Sequence, residues 1–178
     1  MGLDVSSSKV GLAIIDLNQN LIEYKLIKFN SKKTLEDRCK ELEHIVQQYD
    51  ANQYINPKNK YNIKNIYIEA PFMMFSGGKT TAMTMSKLQR FNGMVSYMVR
   101  RLLDQNAELI AANKARGLVG LKIKRGEDTK KKIIEWVSAK YPDKFIVEQT
   151  RYGNPKPGTD DIADAIVVAL AGLNQNNT

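Results

Sequence analysis

Five carboxylates stand out in a chain that is otherwise rich in cations. Three of them, Asp160, Asp161 and Asp164, crowd the start of the stretch PGTDDIADAIVVALAG, residues 157–172, which continues as nearly pure hydrocarbon. One acid at a helix start is favoured by the free N–H groups and the dipole. Three held close raise one another's pKa and repel, unless a cation sits among them. Asp4 and Glu69 lie in the short apolar runs GLDV and IYIE. Alternate residues of a strand share a face, so Asp4 goes with Gly2 and Ser6, opposite Leu3 and Val5. Glu69 likewise goes with Tyr67, opposite Ile66, Ile68 and Ala70. A buried, unpaired carboxylate is expensive. Four carboxylates gathered from these places make a hard-oxygen site of the kind that suits Mg²⁺ or Mn²⁺. A pair of such ions, about 3.5–4 Å apart, activates water and stabilises the leaving oxygen in phosphodiester hydrolysis. Spacing does not choose among the last three acids. Asp161 and Asp164 are three apart and Asp160 and Asp164 four apart, and either pair shares a helix face.

The elements that must carry these acids alternate between β and α. A strand, a Ser-rich turn and a second strand fill MGLDVSSSKVGLAIIDL, and LIEYKLIKF follows as a third strand. Residues 34–49 place Leu35, Cys39, Leu42, Ile45, Val46 and Tyr49 at helical spacing behind Thr34, a good N-cap. IKNIYIEAP gives a fourth strand, stopped by Pro71. A long helix spans 80–104, with Leu88, Phe91, Val95, Met98 and Leu102 stepping by three and four. AELIAANKA gives a fifth strand, and helices follow at 130–141 and 161–173. The order predicts an α/β fold, a five-stranded mixed sheet flanked by helices on both faces. The length, 178 residues, suits one domain over 1–173 with a frayed polar tail at 174–178.

Hydrophobic residues at 43% and charged residues at 26% are ordinary for a globular protein. The net charge of +8 predicts an anionic partner. Cys39 is the single cysteine, which excludes an intrachain disulfide and fits a reducing, cytoplasmic compartment. The longest apolar run, Ala165–Leu173, is too short to cross a bilayer, so no membrane association is expected. No secretory signal is expected either, because Asp4 and the serines interrupt the start. MGLDVS matches the loose myristoylation pattern, but Gly2 opens a core strand. The stretch 113–132 holds eight Lys/Arg against Glu127 and Asp128. With Gly117, Gly120 and Gly126 it reads as a flexible, phosphate-gripping arm. His44 reads as a helix-surface residue and Trp136 as core.

Four stretches, in order, resemble the RuvC-type Holliday junction resolvases of the RNase H-like (retroviral integrase) superfamily. GLDVSSSKVGLAIID resembles the first hairpin, with its catalytic Asp at Asp4. IYIEAPFMM resembles the strand ending in a catalytic Glu, here Glu69, with an aromatic three residues on at Phe72. KLQRFNGMV resembles the start of the long helix. DDIADAIVVAL resembles the closing helix, whose two acids map onto Asp161 and Asp164 and leave Asp160 as an N-cap. Many relatives place a His near these last acids; this chain's only histidine is His44, in the first helix. The resemblance implies an RNase H-like fold and a nuclease of DNA recombination and repair. It would hydrolyse four-way and other branched DNA with two Mg²⁺ ions, Mn²⁺ substituting, held by Asp4, Glu69, Asp161 and Asp164. It also implies a homodimer, for which the 80–104 helix, with Met83, Met94 and Val99 adding apolar surface, is the natural interface. DNA would then be held by Phe72, Lys79, Arg116, Lys122, Lys124, Arg125, Lys130, Lys131 and Lys132. The heavy use of Lys, Asn and Ile points to an AT-rich genome, a phage or virus, and so to a host cytoplasm.

Other classes compete. A module that grips branched DNA without cutting would leave the acids without a purpose. A RuvX-like nuclease linked to RNA processing shares the superfamily. An actin/Hsp70-like ATPase shares a resemblance to the first hairpin, but needs two such domains and a Gly-rich adenosine motif that this chain lacks.

Overall fold

The fold is built on a hairpin whose turn is locked by one serine. Ser6 Oγ donates to the Lys9 carbonyl at 2.8 Å and accepts the Lys9 N–H at 3.2 Å. This joins β1 (Gly2–Val5) to β2 (Lys9–Ile15), which pair antiparallel. In this computed structural model, which describes residues 1–49, 61–71 and 82–176, β3 (Leu21–Lys28) adds to β2, again antiparallel. On the other edge β4 (Ile66–Glu69) lies parallel to β1, and β5 (Ala107–Ile110) parallel to β4. The sheet therefore runs β3-β2-β1-β4-β5. Among the described residues the helices are α1 (Leu35–Gln47), α2 (Ala82–Leu103), α3 (Ala112–Leu118), α4 (Thr129–Lys140) and α5 (Thr159–Asn176).

Strand alternation sorts the side chains into two cores. Leu3, Val5, Val10, Leu12, Ile66 and Ile68 face α1 and α2, meeting Leu42, Val46, Phe91, Val95 and Val99. Ala13, Tyr67 and Ile110 face the other way, onto α5 and α4 through Ile166, Leu170, Ile133 and Val137. Helices thus cover both faces, as the sequence predicts. Thr34 caps α1 in a full capping box with Asp37.

Glycines set the height of α5 above the sheet. A Cβ on Gly2 would lie 2.2 Å from the Ala165 carbonyl oxygen, and one on Gly11 2.0 Å from that of Asp161. Further along, Gly172 admits the Tyr67 ring, which a Cβ would meet at 2.2 Å. The helix backbone rests directly on the backbone of β1 and β2.

Several sequence expectations need correction. The fifth strand ends at Ile110, and ANKARGL is helix α3, as its Ala, Lys, Arg and Leu content favours. The stretch 113–132 is therefore no continuous flexible arm. It comprises most of α3, a loop at 119–128 and the first turn of α4, and Gly117 is helical. Helix α5 runs on to Asn176, so three residues of the expected tail are ordered. Asn174 Nδ2 donates to the Leu118 carbonyl at 3.0 Å, and Asn176 Nδ2 to the Tyr67 hydroxyl at 2.7 Å. On α2, Val99 is buried and so offers no surface to a second copy; Met94 is half-buried against the same core and Met83 is exposed. His44 is exposed, and Trp136 is half-buried with Lys140 Nζ 5.8 Å from its ring centre. Phe72, Lys79 and the expected start of the long helix at Thr80 lie outside the described residues. Among the described residues, no helix is long and apolar enough to cross a membrane.

Candidate active site

The sheet register brings the first two acids together. Gly2 pairs with Tyr67 and Leu3 with Ile68, so the next residues in step are Asp4 and Glu69. Both leave the sheet on the α5 side. On its other flank Asp4 is the register partner of Gly11, the residue against which the Asp161 backbone sits. The missing Cβ of Gly11 thus lets the first turns of α5 descend beside Asp4, and Asp161 and Asp164 come with them.

Crowding shows in the proton affinities. Burial pushes Asp4 well above the usual carboxylate range, and Glu69, Asp164 and Asp161 push it further, against Lys9. Burial and then Asp164 lift Glu69 to about 7, with Arg116 opposing. Burial lifts Asp164 to about 6, against Arg116 and together with Asp160 and Asp161. Asp161 is raised by burial, against the hydrogen bond from Lys9, with Asp160 adding repulsion.

Two lysines stand among the helix acids. Lys9 Nζ is hydrogen-bonded to Asp161 Oδ2, and Lys130 Nζ to Asp160 Oδ2. Lys130 outweighs burial and holds the Asp160 carboxyl below its ordinary range. Asp160 is no N-cap: α5 begins at Thr159, whose Oγ1 donates to the Lys156 carbonyl at 2.8 Å, and Asp160 lies inside the first turn. The expected capping role gives way to an ion pair.

Among the described residues, no three His, Cys, Asp or Glu side chains close on one point tightly enough to hold a metal ion. The donor chemistry nonetheless fits a divalent cation. Asp4, Glu69 and Asp164 offer hard oxygens whose raised proton affinities mark a shortage of positive charge. Asp161 would join them by leaving Lys9.

Other residues supporting the site were not singled out from sequence. Lys9 lies two before Gly11, so strand alternation aims it at α5; that signal was available. Asn92 is buried on α2 and donates to the Glu69 carbonyl at 3.3 Å. Arg38, also buried, donates to the carbonyls of Ser7 and Ser31 and so fixes the turn after Asp4. Both act on backbone carbonyls, which leave no trace in sequence. Arg116, expected on the arm, sits instead on α3 with its charge felt by Glu69 and Asp164. Lys122, Lys124 and Arg125 are exposed on the 119–128 loop, where Gly120 and Gly126 take φ of 74° and 91°. Lys131 is exposed, and Lys132 lies 3.4 Å from Glu135 and 3.6 Å from Glu127.

No protein-family model matches the chain, and no curated protein does. Solved structures do. T. thermophilus RuvC in complex with a Holliday junction substrate matches with a TM-score of 0.67 at 11% identity, over 99% of this chain and 92% of that one. The chain has a RuvC-like fold. A second Thermus thermophilus RuvC structure gives a TM-score of 0.64 at 13% identity, covering 99% and 93% of the two chains. The five-stranded mixed sheet with helices on both faces is thus the RuvC-like arrangement. At such identities the likeness is one of fold, and the chemistry of this RuvC-like chain rests on its own residues.

Proposed function

We propose that this RuvC-like protein is a structure-selective DNA endonuclease that resolves four-way junctions and cuts other branched DNA by metal-dependent phosphodiester hydrolysis. The observation that carries the reading is the meeting of Asp4, Glu69, Asp161 and Asp164 at one end of β1, β4 and α5, with proton affinities raised by burial and mutual repulsion. Bound to these acids, a pair of Mg²⁺ or Mn²⁺ ions would supply an activated water and neutralise the leaving oxygen. The chain's own part is to hold the acids in place. Asn92 steadies the Glu69 backbone, Arg38 the turn beyond Asp4, and Arg116 tempers the repulsion around Glu69 and Asp164. Lys122, Lys124, Arg125 and Lys131 stand exposed for phosphate contacts. A junction with two-fold symmetry needs two symmetric cuts, so the active unit is a homodimer; the exposed Met83 and Tyr97 of α2 suit that interface. The protein would work in the cytoplasm, where Cys39, buried and unpaired, stays reduced.

The test is cleavage of a labelled four-way junction in Mg²⁺, against linear duplex, by the wild type and by Asp4→Asn and Glu69→Gln. The wild type should nick the junction alone. Both variants should bind it and leave it whole, because phosphate contacts dominate affinity. Near wild-type cutting by either variant would overturn the assignment.

A further inference from the structure

Residues 148–158 lead straight into α5 yet serve no purpose in the site above. They form a tight hairpin. Gln149 bridges to Pro155, the Thr150 N–H donates to the Asn154 carbonyl at 2.7 Å, and the Lys156 N–H to that of Glu148 at 2.8 Å. Gly153, at φ 77°, makes the bend. The foot is anchored at Gly158, φ 101°, where a Cβ would meet Leu26 Cδ2 at 2.1 Å. The tip is presented rather than packed. Tyr152 is 72% exposed, and its ring carries the Arg151 guanidinium at 4.5 Å. Between this hairpin and the start of α4 lies a cleft of about 510 Å³, whose walls include Gln149, Asn154, Lys130, Lys131, Lys156 and Asp160. Asp160 precedes Asp161, so the cleft opens beside the candidate active site. Its charged groups are mostly paired: Asp128 caps α4, Asp160 holds Lys130, Lys156 holds Glu148 at 2.5 Å, and Lys131 is the loosest, 4.0 Å from Glu135 and so the lysine most open to a phosphate.

We propose that this cleft and hairpin tip bind an unpaired nucleotide of the DNA strand adjoining the one held at the acids, its base stacked on Tyr152 and its phosphate on Lys131. The choice of ligand rests on the nuclease reading; the site rests on its own geometry. A cleft of about 510 Å³ is of the size that holds one small ligand such as a nucleotide. Tyr152 itself stands at the lip, next in sequence to Gly153 of the cleft wall, and an exposed aromatic with a guanidinium on its ring, leading into a groove that holds lysines, is the combination that holds single strands irrespective of sequence. A hairpin already braced by main-chain bonds loses little freedom on binding.

The experiment is fluorescence anisotropy with a labelled oligothymidine of about 12 nucleotides and with a duplex of the same length, both without metal. Tyr152→Ala should weaken oligothymidine binding by about 5- to 150-fold and leave duplex binding and melting temperature unchanged. Tyr152→Phe should bind as the wild type does. Lys131→Gln should reduce the slope of log K against log salt for the oligothymidine by about 0.7. The proposal is overturned if Tyr152→Ala binds oligothymidine as tightly as the wild type, if it loses duplex binding equally, or if Tyr152→Phe fails as badly as the alanine. Oligothymidine binding involves no cutting. A protein that nicks junctions but shows any of these results loses only this subsite, whereas one that binds as expected but nicks nothing loses only the nuclease reading.

Discussion

Gly11→Ala is the sharpest test of how the site is assembled, because it leaves every acidic side chain chemically intact. The new Cβ would stand 2.0 Å from the Asp161 carbonyl oxygen and 2.5 Å from its carbon. Both obstacles are helix backbone, so no rotamer change clears them. To reach the 3.4 Å of ordinary contact, α5 must lift about 1.4 Å locally. Overpacking of this kind costs about 1–3 kcal/mol. For a chain of 178 residues each kcal/mol lowers the melting temperature by about 2–4 °C, so a fall of about 2–12 °C is expected. The displacement carries Asp161 and Asp164 away from Asp4 and Glu69. A misplacement of about 1 Å costs on the order of 100-fold in rate, and the same or more is expected here. The assay pairs a melting curve with single-turnover, Mg²⁺-dependent junction cleavage. A Gly11→Ala protein that melts lower yet cuts at the wild-type rate would show that the seat of α5 does not set the site, and the reasoning would fail.

Three further outcomes follow from the charges. Asp164 rises from 3.8 to about 6 and Glu69 from 4.5 to about 7 in the folded chain, so the native state binds protons more tightly and stability falls as pH climbs between the unfolded and folded values; in chelator the melting temperature should drop from about pH 4 to about pH 7, less so in Glu69→Gln, and a rise across that window would refute the assignment. Asp161→Asn should bind junctions and barely cut them, whereas Asp160→Asn, losing only an ion pair to a largely exposed Lys130 worth about 0–1 kcal/mol, should keep its activity and melting temperature; the reverse pattern would make Asp160 the working acid. Replacing Lys122, Lys124 and Arg125 by Ala should reduce the slope of log K against log salt for a junction by about 0.9 per lost phosphate contact, and an unchanged slope would mean that the 119–128 loop does not touch DNA.

Much of the architecture was legible because strands alternate strictly. Period two alone put Asp4 and Glu69 on the face opposite Leu3 and Ile68, and the register agrees. Local chemistry also spoke plainly at Thr34, whose capping box fixes the start of α1. What failed was what depends on a distant partner. Periodicity marked the apolar face of α2 correctly but could not say that the chain's own core, rather than a second copy, covers Val99. The polar residues after Leu173 looked unsupported because their partners, Leu118, Glu108 and Tyr67, lie far away in sequence. AELIAANKA reads as one strand, since Ile110 ends its pairing and Ala112 begins a helix with only Ala111 between them. The opening puzzle, three acids in want of a cation, was answered in part by Lys9, and nothing local to Asp161 announces that pairing.

That pairing spans 152 residues. The three-stranded antiparallel half of the sheet needs only neighbouring chain and can form early, whereas contacts of such long separation close late. Asp4 and Glu69 therefore wait through synthesis for Asp161 and Asp164, which arrive only when α5 drops onto Gly2 and Gly11. A nascent or clipped chain lacking α5 would carry only Asp4 and Glu69 of the four candidate acids. On the nuclease reading, the docking of this helix is the step that completes the site.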